Sequence, residues 1–283
     1  MKTLLSLLSP ILAASGLWAT SVQATTPPAA DEIYLGSVAM DVPAAMVQRL
    51  TPLTAYLSKK TDLKISFRAS PNLGSAVNEL GKDQTQIAYL TPVAYIEAQA
   101  KYKVKPLVSP LTHGKSTFNL VIAVHQDSSI QSMADLNGKS FALGDEKALL
   151  QRAVVVNGGI NIEQFSRVGF LKHYDNIAKA LINKDFDAGI LKDTLYEKFA
   201  KQGLRKIHTS PPLSSYLFAV NEKVPEETVK KLRAAFLALK ADSAEGKAVL
   251  KELDQGYDGF IVAEDKDYDE VRKLIAPFQK PAK

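Results

Sequence analysis

The chain is predicted to be an α/β protein of two lobes joined by two crossing segments. Three observations predict this. Short apolar strands alternate with helical periodicity from Ile33 to Phe199, the pattern of βα units in a parallel sheet. The pattern then restarts: NIAKALINKD at 176–185 aligns without a gap on GSAVNELGKD at 74–83, and DAGIL at 187–191 on QIAYL at 86–90, an internal repeat. Finally, two β-rich runs, TFNLVIAVH at 117–125 and SSYLFAVN at 214–221, stand where the chain would leave the first copy and return to it. Residues 32–116 with 217–283 are expected to form lobe one, and 117–216, crossing segments included, lobe two.

Residues 1–24 are expected to be a cleaved signal peptide and are set apart from the fold. Lys2 gives a positive end, an apolar run covers Leu4 to Leu17, and Val22-Gln23-Ala24 fits a small-residue cleavage site. That run is short for a bilayer span. TTPPAAD, 25–31, reads as a flexible terminus. The chain has no Cys, so an exported form relies on its core rather than on disulfides, and no Cys is present to carry a lipid anchor. A periplasmic location follows as the expectation. The net charge of +5 becomes +4 when Lys2 leaves with the signal, and the basic residues are scattered, which argues against nucleic acid as a partner.

Each element follows in order. Ile33–Gly36 reads as a strand ending in Gly, and 44–57 as a helix with Pro43 in its first turn. LKISFRA, 63–69, alternates as a strand does. Helix 75–80 and strand 87–90 come next. Thr91-Pro92 opens a helix bearing Tyr95, since Pro is tolerated at a first helical position. Strand 107–110 and the turn THGKS, 112–116, precede the first crossing. After a short helix at 132–137, the second copy gives strand 140–144, helix 147–156, strand 167–172, a helix over 176–185, strand 187–191 and a helix bearing Tyr196. Beyond the second crossing come helices over 224–239 and 244–253, a turn at 256–260, and a last helix over 269–276.

Two such lobes make a hinged clamp, with the ligand beyond the carboxyl ends of the parallel strands. There helix N-termini present unpaired N–H groups and a partial positive charge. Six loops are therefore of interest: 37–43, 70–75 and 91–95 in lobe one, and 145–149, 173–176 and 192–194 in lobe two. Thr91 there serves as a cap or a ligand contact, and the two are compatible. Asp193 either caps its helix or accepts from a ligand amine. Asn72 and Ser75 are further contacts, and Met40 an apolar wall or an ordinary loop residue. Asn176 and Asp175 are placed to cap the fifth helix. The four His residues, 113, 125, 173 and 208, show no metal-ligand spacing, and no nucleophile elbow or phosphate loop is present. Neither cofactor nor catalysis is expected.

IAYLTPVAYIEA (87–98), ADLNGKSFALGD (134–145), HYDNIAKALINKDFDAGILKD (173–193) and GYDGFIVAEDKDYDEVRKL (256–274) together resemble the phosphate, phosphite and phosphonate-type solute-binding proteins of ABC transporters. The resemblance covers most of the chain beyond residue 24. It implies a type II periplasmic-binding-protein fold and a small-molecule ligand delivered to a membrane permease, with presentation to a sensor kinase as the alternative, and a monomer. It also implies that Tyr95 is the ligand-facing tyrosine of the third loop and that His173 is a polar contact. In such proteins the Gly-Asp of the fourth loop is followed by Ser/Thr hydroxyls that hold an oxyanion. Here Gly144-Asp145 is followed by Glu146-Lys147-Ala148-Leu149. A carboxylate at Glu146 repels a plain phosphonate and competes for the same N–H groups. The expected ligand is a different small solute, with an amine or several polar groups.

Overall fold

The computed structural model describes residues 32–38, 43–146 and 148–279. The expected signal peptide, the terminus 25–31, Met40 and Lys147 lie outside the described residues. The first copy runs β1 (Glu32–Ser37), α1 (Pro43–Thr61), β2 (Lys64–Ala69), α2 (Leu73–Gly81), β3 (Ile87–Leu90), α3 (Pro92–Tyr102) and β4 (Lys105–Thr112). After β5 (Thr117–Phe118) and β6 (Leu120–His125), the second runs β7 (Ser140–Leu143), α4 (Leu149–Asn157), β8 (Arg167–Phe170), α5 (Tyr174–Ile182), β9 (Ala188–Lys192), α6 (Asp193–Ala200) and β10 (Leu204–Thr209). The chain ends with β11 (Leu213–Ser214), β12 (Leu217–Val220), α7 (Glu226–Ala238), α8 (Ala244–Leu253), β13 (Tyr257–Val262) and α9 (Asp269–Ile275).

The repeat is visible in the strand order. One sheet is ordered β13-β4-β12-β3-β1-β2 and the other β10-β6-β9-β7-β8. In both, three parallel strands stand in the same order, β3-β1-β2 and β9-β7-β8, each followed by its helix. The crossing strands complete the match. β12 lies antiparallel on β3, with Leu217 opposite Leu90, and β6 antiparallel on β9, with Leu120 opposite Lys192. The sheets are therefore mixed rather than wholly parallel.

The β-rich run 117–125 is split at Asn119, whose backbone N–H donates to the Asp193 carboxylate and whose Nδ2 donates to the Ser210 carbonyl, both at 2.8 Å. β5 pairs instead with β11 in a two-stranded ribbon where the crossings lie side by side. The turn expected at 256–260 is strand β13. Pairing with β4 overrides its Gly and Asp turn signals, and a register shift between Tyr257 and Gly259 absorbs the extra residue as a bulge. β10, LRKIHT, is a strand the sequence reading missed; it is the edge strand beside β6. The helix expected at 132–137 is a single 3-10 turn, Ala134–Leu136.

The inner parallel strands β1, β3, β7 and β9 are largely buried and apolar because both faces are covered, whereas the edge strands β2 and β8 are partly exposed. On the first sheet Tyr89, Phe218, Phe236 and Phe260 stack in a buried cluster with α1, α7 and α8. A second cluster spans residues of both sheets and includes Tyr268, Val271, Leu274 and Ile275 of the C-terminal segment. Helix α9 packs on both α3 and α4.

Candidate functional site

The described parts of the predicted loops lie between the carboxyl ends of the parallel strands and the N-termini of the helices that follow. In the first lobe the ends of α2 and α3 are closed by side chains. Asn72 Oδ1 accepts from the Ser75 N–H at 3.0 Å, and Thr91 Oγ1 accepts from the Ala94 N–H at 3.2 Å. Asn72 and Thr91 thus act locally as helix caps, a role whose loss costs about 1 kcal/mol, and Ser75 supplies the N–H that Asn72 caps. Helices α4, α5 and α6 differ: their cap residues, Ala148, His173 and Lys192, provide no side-chain cap. In α6 the Asp193 N–H donates to the Asn119 carbonyl at 2.9 Å and the Thr194 N–H to the Asp193 carboxylate, so it is the first-turn N–H groups of α4 and α5 that are left for other acceptors.

Strand order places the Gly144–Glu146 loop between the loop after β8 and the loop after β9. Glu146, His173 and Asn176 are exposed there. Asn176 does not cap α5; its Nδ2 donates to the Leu171 carbonyl at 2.9 Å. Asp193 is half-buried, and its two oxygens accept from the Asn119 and Thr194 N–H groups, each at 2.8 Å. It therefore ties α6 to the first crossing. No group of three or more His, Cys, Asp or Glu side chains able to hold a metal lies among the described residues.

Tyr95 stands elsewhere. It is 0% exposed, tilted against the Tyr268 ring at 4.7 Å, and its hydroxyl donates to Asp265 at 2.6 Å. The helix turns this side chain into the core between α3 and the C-terminal segment, so in this structure it does not face solvent. Burial and the bond to Asp265 push its hydroxyl pKa well up. Asp265 also receives Arg272, whose other guanidinium nitrogen reaches Asp269 at 2.8 Å. Partial burial raises the Asp265 pKa, but the bonds from Tyr95 and Arg272 outweigh it, and the net effect is a lowered value. A depressed carboxylate contributes stability that is present above its unfolded pKa of about 3.9 and is lost as pH falls through its folded pKa. Melting temperature followed downward from neutral pH is expected to fall less steeply for Asp265→Asn than for the wild type; parallel curves would contradict this role.

The sequence reading missed the group at the centre of the second lobe. Gln151 is buried in α4; its Oε1 accepts from the Gly144 N–H at 2.8 Å, and its Nε2 donates to the Tyr174 hydroxyl at 3.1 Å. A Cβ on Gly144 would lie 2.9 Å from Gln151 Nε2, so the strand must end in glycine for this contact to form. Tyr174, the first residue of α5, is partly exposed. Burial raises its pKa, as do the nearby Tyr216 and Asp193, against the opposing bond from Gln151. Close by in sequence, Arg152 is half-buried with its Nε enclosed and without a hydrogen-bond partner among the described residues. The one available signal was a Gln seven residues after a strand-ending Gly, in the first turn of a largely apolar helix.

The whole arrangement matches known proteins. Residues 35–268 fit the family model described as the periplasmic substrate-binding protein of phosphonate ABC transporters. The phosphate-import protein PhnD of Mycolicibacterium smegmatis is 24% identical over 274 residues, covering 86% of this chain and 85% of that protein. Among solved structures, PhnD1 of Prochlorococcus marinus in complex with methylphosphonate superposes with a TM-score of 0.72 at 18% identity, over 88% of this chain and 98% of that one. The binding component of a Pseudomonas aeruginosa phosphonate ABC transporter gives 0.67 at 21%, over 86% and 85%. No helix among the described residues is long and apolar enough to cross a membrane. With two βαβ repeats, paired crossings and a match over most of its length, the chain belongs to the periplasmic substrate-binding proteins of phosphonate-type ABC transporters.

Proposed function

We propose that this chain closes on a small zwitterionic solute, an amine joined to a phosphonate or similar acid group, and delivers it to the permease of an ABC importer. One observation carries the reading. The N-termini of α4 and α5, which have no side-chain cap, adjoin the loop that carries an exposed carboxylate, Glu146, where the family resemblance implies hydroxyls. Open N–H groups and helix dipoles suit the acid group. Glu146 suits an amine and penalises a ligand that is only an anion. The crossings at β5 and β11 provide the hinge about which the lobes close.

A thermal-shift screen tests this with 2-aminoethylphosphonate, methylphosphonate, inorganic phosphate, phosphite, small amino acids, polyamines and sugars. A ligand at a hundred times its dissociation constant stabilises by about 2.7 kcal/mol. The amine-bearing phosphonate is expected to give a larger shift than methylphosphonate or phosphate at equal concentration. The reverse order contradicts the reading.

A further inference from the structure

The phenol of Tyr174, at the start of α5, is bonded to α4 and lies within electrostatic reach of α6 and the return crossing. Gln151 of α4 donates to it at 3.1 Å. Asp193 of α6 and Tyr216, just before β12, lie near enough to influence it electrostatically. Leu217 stands opposite Leu90 in the ladder, so Tyr216 sits at the carboxyl end of β3, beside the Thr91 loop.

The direction of the Gln151 bond decides what Tyr174 can do. Gln151 Oε1 already accepts from the Gly144 N–H, which fixes the amide so that its NH₂ faces the phenol. The phenol oxygen is then an acceptor, and its own proton remains to be donated. Among the described residues nothing accepts that proton. The Tyr216 hydroxyl likewise makes no hydrogen bond among the described residues; only its backbone carbonyl is engaged, by Ser109. Core packing accounts for the ring of Tyr174, which touches both neighbouring apolar clusters. It does not account for an amide relay spent on orienting the hydroxyl.

We propose that Tyr174, oriented by Gln151, donates to the acid group of the ligand and takes the place of the hydroxyls absent after Gly144-Asp145. This rests on the reading of the site as one for an acid-bearing solute. A phenol with a raised pKa remains a neutral donor throughout the physiological range. It also needs no cap residue on α4, which has none. Gln151 is the positioning residue; Tyr174 touches the ligand.

Isothermal titration of the purified chain with 2-aminoethylphosphonate and with inorganic phosphate tests the assignment. Tyr174→Phe keeps the ring and is expected to weaken binding of the tighter probe by about tenfold or more, the scale of a hydrogen bond to a charged acceptor. Gln151→Glu keeps the bond to Gly144 but presents a carboxylate that takes the phenol proton, so binding is expected to fall at least as far. Its loss should be smaller at low pH, where that carboxyl is protonated, a dependence that a purely structural role would not produce. Affinities within twofold of wild type in both variants overturn the proposal. Should the wild type bind neither probe, the reading of the site fails and the proposal with it; binding by the wild type that survives both substitutions removes Tyr174 alone.

Discussion

Phe218→Ala is expected to cost about 3–5 kcal/mol of folding stability. Phe218 is 0% exposed on β12, which lies between β3 and β4 in the first sheet. Its ring stacks on Tyr89 at 4.7 Å and meets Phe236 at 4.6 Å and Phe260 at 5.8 Å. Truncation removes the transfer free energy of the ring and leaves a cavity between three other aromatics held by β3, α7 and β13, which limits collapse. The loss also loosens the strand that directly follows the return crossing. Urea unfolding followed by tyrosine and tryptophan-independent far-UV signals measures it, with Val47→Ala as the control. Val47 is 47% exposed on α1, so that change is expected to stay within about 0.5 kcal/mol. Similar losses for the two variants would contradict this account of the core.

Glu146→Ser is expected to reverse the ligand preference. Two unit charges about 4 Å apart interact by about 1 kcal/mol in water and about 4 kcal/mol at an effective dielectric of about 20. Glu146 is exposed, which favours the lower end, so methylphosphonate affinity is expected to rise by roughly tenfold. The amine-bearing ligand is expected to lose affinity by a similar factor. Titration of both ligands against both proteins checks this, and an unchanged affinity ratio would remove Glu146 from the site.

Much of this was legible in the sequence because the features concerned are local. Thr91-Pro92 announces the α3 start, and Asn72 caps α2 from three residues away. The apolar runs of β1, β3, β7 and β9 mark strands covered on both faces. The departure at Glu146 is likewise written in the chain. What was not legible depends on partners distant in sequence. Tyr95 was expected at the ligand, but its hydroxyl belongs to Asp265, 170 residues away, a contact that no local pattern encodes. Edge strands β10 and β13 have polar or glycine-containing sequences that become strands only through pairing with β6 and β4. Asp193, read as a cap or an amine acceptor, holds a crossing segment that lies 74 residues earlier. Gln151 and Tyr174 come together only because the strand order puts β7 beside β8.

The second lobe is proposed to select a solute bearing both an amine and an acid group. Isothermal titration of the wild-type protein with 2-aminoethylphosphonate and with ethylphosphonate, which differ in the amine alone, tests it most directly. The amine-bearing ligand is predicted to bind at least about tenfold more tightly, corresponding to about 1.4 kcal/mol. Equal or tighter binding of ethylphosphonate would contradict it.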